Sequence, residues 1–350
     1  MPTLRILFVG DVTPFLTTAA RRDAFLALGC DVETLDPTRF AGPGRFAARL
    51  AFWTLLAPSV FRFNRALREA ALRADRDLVW IEKGTLVFPR TLRALRAAGR
   101  LLVYHNTDDW KARTPLHRLH WRFLVRGLPL YDVHVTSNLH NVREFRERGL
   151  PEVHHMELAA NPALPPPEPI PEEERRALGG PVGFIGHWEP ATEAALLHLL
   201  RHGVPVKVYG GGWERAEAKS ELAAALQHRY VMGREYARAI ESFDVNLGIV
   251  SRWNRNHTAS RTFQIPAQGA FLLHERNELV TRYFREGEEA EFFASHEELL
   301  AKTRHYLAHP DERRRIAAAG RRRVQESGYF ETDRVRELVP VLERVLRTRG

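Results

Sequence analysis

An arginine and a glutamine three residues apart, Arg261 and Gln264, stand where the chain changes from a polar segment to a buried one. They begin the stretch RTFQIPAQGAFLL (261–273), which predicts a short helix, a break at Gly269 and an apolar strand. On a helix, this spacing places both side chains on one face. A guanidinium makes two parallel charge-assisted hydrogen bonds with an anion, so Arg261 is a candidate ligand for a diphosphate. An arginine on a solvated helical turn is the alternative interpretation.

Polar residues also follow the predicted strands of the first half of the chain. His105, Asp108 and Asp109 come after one such strand, and Lys83 follows an earlier one. Either carboxylate or the imidazole could act as a general base on a hydroxyl group. The aspartate pair could equally cap a helix before Trp110. Two adjacent carboxylates without a second acidic cluster are weak evidence for a metal ion, and we predict no metal site.

Two successive series of alternating strand and helix patterns must position these residues. The first series begins with LRILFV (4–9), which Gly10 and Asp11 close, and the second begins at residue 181. Such alternation is typical of doubly wound parallel sheets, in which ligands bind beyond the carboxyl ends of the strands. We therefore predict an α/β chain of two Rossmann-like domains, with the polar residues at the strand ends.

The domain boundaries follow from composition. The segment 165–180 is rich in proline and glutamate, cannot bury a core, and predicts a linker between domains at 1–164 and 181–328. The last predicted helix, within 329–350, carries an apolar stripe at helical spacing. A length of 350 residues agrees with two domains, because single cores rarely grow beyond about 250–300 residues.

The charge of the chain favours anionic partners. Of its 52 basic residues only five are lysines, which leaves 47 arginines and a net charge of +9. Such a surface suits sugar nucleotides or acidic lipid headgroups. No recognition-helix motif or register of arginines with aromatic residues supports binding of DNA or RNA, so we predict no nucleic-acid partner.

Residues 45–73 mix arginines with apolar and aromatic side chains, and Pro58 divides them into two predicted helices. Helices that cover one face of a sheet are the favoured interpretation. A basic, aromatic surface that rests on a membrane or holds a lipid-linked acceptor is the alternative. The single cysteine, Cys30, and the lack of an apolar run of about 18 residues predict a cytoplasmic protein, at most peripheral to the inner face of the membrane.

With these motifs in place, the chain resembles glycosyltransferases of the GT-B fold, the group 1 family, and within them the CgeB-like (spore maturation protein-like) group. The resemblance is carried by IEKG and HNTDDW in the first half, by GFIGHW (183–188), by RTFQIPAQGAFLL, and by residues 285–324. The chain departs from the family at Gln264, where a glutamate is usual, and at Asn256, where retaining relatives often have another glutamate.

The resemblance implies a metal-independent transfer of a sugar from a nucleotide-diphosphate donor of the UDP, GDP or dTDP type to a hydroxyl acceptor. The acceptor would be a glycan, a lipid-linked molecule or a small molecule, and no cofactor is expected. It also implies an interdomain cleft and a C-terminal helix that packs back on the first domain. Known GT-B enzymes stabilise the leaving diphosphate with a cation and with helix N-terminal N–H groups.

The resemblance also assigns roles to residues by their position. Arg261 would bind the diphosphate and Gln264 the ribose, with the nucleobase against Met232, Gly233 and Tyr209. The other donor-binding candidates are Gly186, His187, Asn256 and His257. The catalytic candidates are His105, Asp108 and Asp109, and the acceptor-binding candidates are Gly10, Asp11 and Lys83.

Two alternatives to a glycosyltransferase stay open at this point. A catalytically weakened relative that binds a nucleotide or glycan is suggested by Asn256 and Gln264. A sugar-nucleotide epimerase would have a similar pair of Rossmann-like domains.

Overall fold

The computed structural model describes residues 4–40, 55–73, 75–111 and 115–349. The chain forms two compact units. Unit 1 comprises Met1–Glu157 together with Glu331–Gly350, and unit 2 comprises Leu158–Phe330. The predicted linker 165–180 therefore clusters with unit 2, and it contains a helix, Glu172–Leu178, whose Leu178 is buried.

Unit 1 has a six-stranded parallel sheet flanked by helices. Its strands are β1 (Arg5–Val9), β2 (Asp31–Leu35), β3 (Leu78–Glu82), β4 (Leu101–Asn106), β5 (Val133–Thr136) and β6 (Val153–His155). Its helices up to β6 are α1 (Thr17–Ala27), α2 (Pro58–Ala71), α3 (Pro89–Ala97), α4 (Pro115–Gly127) and α5 (Leu139–Glu147), with short 3-10 turns at Pro37–Phe40 and Leu128–Leu130. The strand order is β2-β1-β3-β4-β5-β6.

Unit 2 has a five-stranded parallel sheet of order β11-β10-β9-β7-β8. Its strands are β7 (Gly180–Ile185), β8 (Val206–Tyr209), β9 (Phe243–Gly248), β10 (Leu272–Glu275) and β11 (Glu291–Phe293). Its helices are α6 (Glu172–Leu178), α7 (Pro190–Arg201), α8 (Lys219–Leu222), α9 (Gly233–Ser242), α10 (Ser260–Ala267), α11 (Val280–Tyr283), α12 (His296–Ala308) and α13 (Pro310–Glu326), with a 3-10 turn at Trp213–Arg215.

The last helix, α14 (Glu331–Arg347), belongs to unit 1, where it packs beside α1. Its apolar stripe is buried in the same core as strand residues of the sheet, for example Val335 and Leu338 with Trp80. The helix thus covers one face of the unit 1 sheet, as its hydrophobic spacing predicts.

Burial on both faces explains why the strands were readable in the sequence. In unit 1, neighbouring strand residues such as Leu7 and Phe8 enter separate cores on opposite faces of the sheet. Parallel strands covered by helices are therefore almost wholly apolar. Proline at the first helical position begins α2, α3, α7 and α13, where its missing N–H has no consequence. The predicted pair of parallel-sheet α/β domains is confirmed.

One local prediction turns out differently. The short run Tyr230–Met232, whose sequence predicts a strand that ends at Gly233, does not form one, because the β8 edge pairs instead with the preceding segment, through Val208 and Leu226. Of the segment 45–73, the first predicted helix lies largely outside the described residues. The second is α2, which buries Phe63 and Leu67 in the core and so covers the sheet. Across the described ranges, no helix combines the length and apolar character that crossing a bilayer requires.

Candidate functional site

The strand order of unit 2 changes direction at β7, which has β8 on one side and β9 on the other. At such a switch point the connections after the two central strands run apart and leave a crevice in which ligands bind. Here these connections are 186–189, after β7, and 249–259, after β9. The candidate donor-binding site therefore has to be built from these two loops and from the helix α10 that follows the second.

Arg261, in the first turn of α10, is the cation of this crevice. Its Nη1 donates a hydrogen bond of 2.6 Å to the carbonyl oxygen of Ile249, and its guanidinium lies 4.9 Å above the ring of Phe184. Among the described residues, no carboxylate oxygen lies within 4.0 Å of it to form an ion pair. Burial lowers the pKa of Arg261, while the more distant Tyr236 and Glu189 act in the opposite direction. A partly desolvated cation without a close counter-ion favours a bound anion.

Gly186 leaves room for this guanidinium. A Cβ atom at position 186 would lie 2.6 Å from Nη2 of Arg261 and 2.7 Å from Cζ of Phe184. The backbone of Gly186 is itself held by a hydrogen bond of 2.9 Å from its N–H to the carbonyl oxygen of Tyr209. Only glycine fits between the strand end and Arg261 without displacing either neighbour.

Glu189 holds the loop 249–259, the second of the two loops that form the crevice. Its buried carboxylate accepts hydrogen bonds from the hydroxyl group of Ser251, from the N–H of Arg252 at 2.8 Å and from the N–H of Trp253 at 3.2 Å. Trp253 meets the ring of Trp188 edge to face, with 5.7 Å between the ring centroids. The loop after β9 is therefore preorganised by a carboxylate from the loop after β7.

Exposed aromatic and apolar side chains border the same loops. Tyr230 is 59% exposed, its ring centroid lies 5.9 Å from that of His187, and its hydroxyl group packs against Gly211. Met232 is 48% exposed and directly precedes Gly233, the first residue of α9. Desolvation, followed by Arg261 and Arg215, lowers the pKa of His187, which favours the neutral imidazole. These surfaces could accept a flat apolar ring such as a nucleobase.

Two other predicted donor-binding residues, Gln264 and Tyr209, are buried and hydrogen-bonded within unit 2. Gln264 is buried, and its Oε1 accepts a hydrogen bond of 2.7 Å from the N–H of Asn161. Tyr209 is fully buried, and its hydroxyl group donates to the carbonyl oxygen of Leu178 at 2.8 Å. Both side chains thus hold the 158–180 segment to the rest of unit 2. The structure does not bring them to the crevice beside Arg261.

Asn256 and His257 lie in the loop that leads into α10. The N–H of Asn256 donates to the carbonyl oxygen of Ser251 at 3.0 Å, and the carbonyl oxygen of His257 accepts from Nδ2 of Asn277 at 2.8 Å. Both side chains are partly exposed. Their backbone bonds shape the approach to Arg261 and leave their side chains on the loop surface.

In unit 1, the predicted acceptor-side residues form a charged pair at the corresponding strand ends. Nζ of Lys83 lies 3.0 Å from Oδ2 of Asp108, and Asp108, with Asp11, raises the pKa of Lys83. Asp11 accepts hydrogen bonds from the N–H and the hydroxyl group of Thr13, which is an ordinary turn after β1. Gly10 is packed tightly, because a Cβ there would meet Thr18 at 2.8 Å.

His105 is placed in the interior of unit 1, away from any open surface. It has no exposed area, its Nδ1 lies 2.9 Å from Oε2 of Glu82, and its Nε2 is enclosed without a hydrogen-bond partner in the described part of the chain. Desolvation and then Arg21 lower its pKa. Arg21 also lies 2.8 Å from Glu82 and 2.7 Å from Glu331, both buried. His105 is therefore part of a buried charge cluster that fastens α14 to the sheet.

The two aspartates after β4 have different surroundings. Asp109 is buried, and its Oδ1 accepts from the N–H of Lys111 at 3.0 Å. This contact forms a turn and not the helix cap before Trp110 that was the alternative prediction, since the next helix begins at Pro115. Asp108 is more exposed and faces Lys83. Within the described ranges, no group of three or more His, Cys, Asp or Glu side chains is arranged to hold a metal ion.

Sequence reasoning missed three residues that the geometry brings to the crevice of unit 2. They are Tyr230, Glu189 and Tyr236. The sequence did not indicate Tyr230 as a site residue, because it lies in a short run whose pattern predicts a strand. Glu189 precedes Pro190 at the start of a helix, so an acidic cap was the ordinary interpretation of its position. No sequence signal distinguishes a buried loop-organising carboxylate from a capping one.

One known protein family matches most of unit 2 and the first part of α14. Residues 191–339 match a family described as Glycosyl transferase-like. No curated protein sequence matches the chain at a significant level.

Solved structures with the same fold include a sucrose-phosphate synthase, the HepE protein and an epimerase. Sucrose-phosphate synthase from Thermosynechococcus elongatus is 12% identical, with a TM-score of 0.65 over 99% of this chain and 100% of that chain. HepE (Alr3699) from Anabaena, solved with UDP and glucose, is 14% identical, with a TM-score of 0.60 over 97% and 100%. A UDP-N-acetylglucosamine 2-epimerase is 11% identical, with a TM-score of 0.54 over 97% and 95%.

These similarities define the fold of the protein and identify one stretch of family-like sequence. The chain has the GT-B fold of two parallel-sheet α/β domains, as predicted. Residues 191–339, which include α10 and Arg261, are glycosyl transferase-like. The glycosyltransferase class that the sequence motifs indicated agrees with the family match over residues 191–339.

Proposed function

We propose that this protein transfers a sugar from a nucleotide-diphosphate donor to a hydroxyl group of an acceptor, and that it is a CgeB-like member of the GT-B glycosyltransferases. The proposal rests on the position of the Arg261 guanidinium. It lies at the switch point of a parallel sheet, in a segment of glycosyl transferase-like sequence, without a close carboxylate partner in the described ranges.

In this proposal, Arg261 stabilises the charge that develops on the leaving diphosphate. Its Nη1 is positioned by the carbonyl oxygen of Ile249, so the guanidinium is held in place before the donor binds. The N–H groups of Ser260 and Arg261 at the start of α10 add to it, because Ala259, the residue before the helix, has no side-chain oxygen to cap them. The N–H of Thr262 instead donates to the carbonyl oxygen of Ala259 at 2.9 Å. Preorganised charge of this kind is the main source of stabilisation in such transfers.

The exposed rim formed by His187, Tyr230 and Met232 is the proposed contact surface for the nucleobase. Aromatic faces bind flat rings without demanding one particular base. Because the HepE structure was solved with UDP and glucose, UDP is the first nucleotide to test, before GDP and dTDP. The proposal requires neither a cofactor nor a metal ion for binding of the diphosphate.

On the acceptor side, we assign the general base to Asp108 in preference to His105. A base must come within hydrogen-bond reach of the hydroxyl group that it deprotonates. Asp108 is accessible and is held by Lys83 at 3.0 Å, whereas His105 is enclosed and bonded to Glu82. Lys83 and the turn at Asp11 are the proposed acceptor-binding neighbours. Contact of 45–73 with a membrane, and a lipid-linked acceptor, stay predictions.

Calorimetric titration with UDP tests the binding half of the proposal. Arg261→Ala is expected to weaken UDP binding by about 2–4 kcal/mol, because a desolvated charge contact is lost. Arg261→Lys keeps the charge but not the planar fork, so an intermediate loss is expected. Arg282→Ala, an exposed arginine of the same unit, is the control and should bind UDP like the wild type. Equal affinities of wild type and Arg261→Ala would remove Arg261 from the site.

Product analysis with a panel of nucleotide sugars tests the reaction. A glycosyltransferase releases the nucleoside diphosphate, either by transfer to an added acceptor or by slow hydrolysis. The epimerase alternative is kept because a UDP-N-acetylglucosamine 2-epimerase shares the fold. An epimerase would convert the donor into its epimer without any acceptor. Binding of UDP with no turnover of any donor would instead support a catalytically weakened relative.

A further inference from the structure

A second cavity of unit 2 lies at the opposite edge of its sheet from the candidate donor-binding site. Its volume is 950 Å³, and it is bounded by the first residues of β9, by the segment 269–271 before β10, by the segment 167–170 and by one face of α13. The amino-terminal edge of a parallel sheet is not where the substrates of such folds bind. This groove therefore needs an explanation of its own.

The charged side chains that line the groove are mostly arginines. The arginines are Arg175, Arg313, Arg314, Arg321 and Arg322, and the acidic residues are Glu168, Glu241 and Asp244. Two of these acids are already engaged. Asp244 pairs with Arg313 at 2.5 Å, and Glu168 is bonded to Arg234 and Arg238. The positive charge of the lining is therefore only partly compensated.

Arg321 and Arg322 are groove arginines without a carboxylate partner in the described ranges, and Arg175 bonds only the carbonyl oxygen of Glu241. Neither takes part in an ion pair with any residue that the structure describes. Nε of Arg321 is buried without a hydrogen-bond partner in the described ranges, and the stem of this side chain packs 3.4 Å from the Cβ position of Gly269. A buried donor without a partner costs free energy unless a ligand or water satisfies it. The two residues thus point to an anion as the occupant.

We propose that this groove is a second anion-binding site, which takes a small molecule with two or more phosphate charges. The volume is that of a pocket for a small ligand, since such pockets are typically about 300–1,000 Å³. Arginine forks bind phosphate oxygens bidentately, which suits this chemistry better than a long acidic peptide that would need an extended surface.

The surroundings of Glu241 add a pH dependence. Burial raises its pKa to about 7, against the opposing effects of Arg238 and Arg175, and Glu168 raises it further. Its Oε1 lies 2.9 Å from the amide nitrogen of Gln268 when that amide faces it. Below about pH 7 the protonated carboxyl group leaves the groove one charge more positive, so anions bind more tightly there. Glu241→Gln should remove the contribution of the protein to this dependence, and the remaining slope is that of the ligand, whose phosphate groups titrate at about pH 6.

Calorimetric titration with inorganic tripolyphosphate tests the proposal without any assay of activity. Arg261→Ala is used as the background, because it removes the candidate donor site from the titration. In this background, Arg321→Ala/Arg322→Ala is expected to lose at least about tenfold in affinity. The matched control is Arg282→Ala/Arg315→Ala, which removes the same charge from exposed positions outside the groove and should bind like its parent. Equal losses in both double variants would overturn the proposal and show unspecific charge attraction.

A second variant guards against a folding defect in the double arginine variant. Ala318→Glu introduces a carboxylate at an exposed position on the groove wall and leaves every arginine in place. It is expected to weaken tripolyphosphate binding about tenfold by charge repulsion. Unchanged binding in Ala318→Glu would refute the site. Titration with a sugar phosphate beside tripolyphosphate distinguishes a phosphorylated metabolite from a free oligophosphate as the ligand.

Discussion

Gly186→Ala is the most discriminating test of the donor site, because it moves Arg261 without removing it. The backbone of Gly186 is not in the left-handed region, so the added methyl group causes no backbone strain. The new Cβ would lie 2.6 Å from Nη2 of Arg261 and 2.7 Å from Cζ of Phe184. Both distances are shorter than van der Waals contact, so the guanidinium, the ring or both must move.

The size of the effect follows from these contacts. Overpacking of this kind costs about 1–3 kcal/mol of folding free energy. The guanidinium is the more mobile of the two groups, since it ends a flexible side chain, and its displacement would break its contact with Phe184 and its hydrogen bond of 2.6 Å to Ile249. A displaced cation binds a diphosphate less well, and we expect UDP affinity to fall by about 2 kcal/mol, which is roughly thirtyfold.

Calorimetry with UDP and thermal unfolding without ligand measure the two effects separately. Gly180→Ala is the matched control, since it makes the same change at the other end of β7, where a Cβ meets nothing within 4 Å. It should leave both the melting temperature and the UDP affinity unchanged. If Gly186→Ala binds UDP within about twofold of the wild type, the position of Arg261 over Gly186 does not matter for donor binding and the reasoning fails.

Two further predictions concern stability. Arg21→Met leaves the buried Glu82 and Glu331 without their cation and should lower the unfolding free energy of unit 1 by about 3–5 kcal/mol in urea. Arg22→Met, whose pair with Asp23 is more exposed, should cost less than about 1 kcal/mol, and similar losses in both variants would contradict the buried-cluster interpretation. Burial lowers the pKa of His274 to about 4 in the folded protein, so stability is full above about pH 6.5 and falls by about 3 kcal/mol as the pH drops to about 4. His274→Gln should flatten this part of the urea-derived pH profile, and an unchanged slope would show that His274 is not responsible.

Much of the fold was readable because each parallel strand is buried on both faces. The apolar runs that became β1, β3 and β4 are typical of parallel strands that helices cover on both faces. The strand expected at 230–232 did not form, because its short apolar content belongs to an exposed rim with Tyr230 and Met232 at the surface. Local patterns cannot tell a buried strand from an exposed aromatic edge.

The site was predictable only where local sequence decides the geometry. The spacing of Arg261 in its helix and the glycine at 186 are local signals, and the structure brings these two residues together. The burial of His105 depends on Arg21, Glu82 and Glu331, which are distant in sequence and meet only in the folded unit. Gln264 is likewise defined by its bond to Asn161, 103 residues away. No pattern around His105 or Gln264 carries this information.

The pairing of Arg21 with Glu331 has a consequence for the order in which the chain can mature on the ribosome. Residues 158–330 contain all of unit 2, and all of them are encoded before the last helix. Unit 1 must wait, since its Arg21 and Glu82 lack their remaining charged neighbour until α14 emerges. A chain that stops near residue 330 would therefore contain all of unit 2, whereas unit 1 would lack α14 and be destabilised.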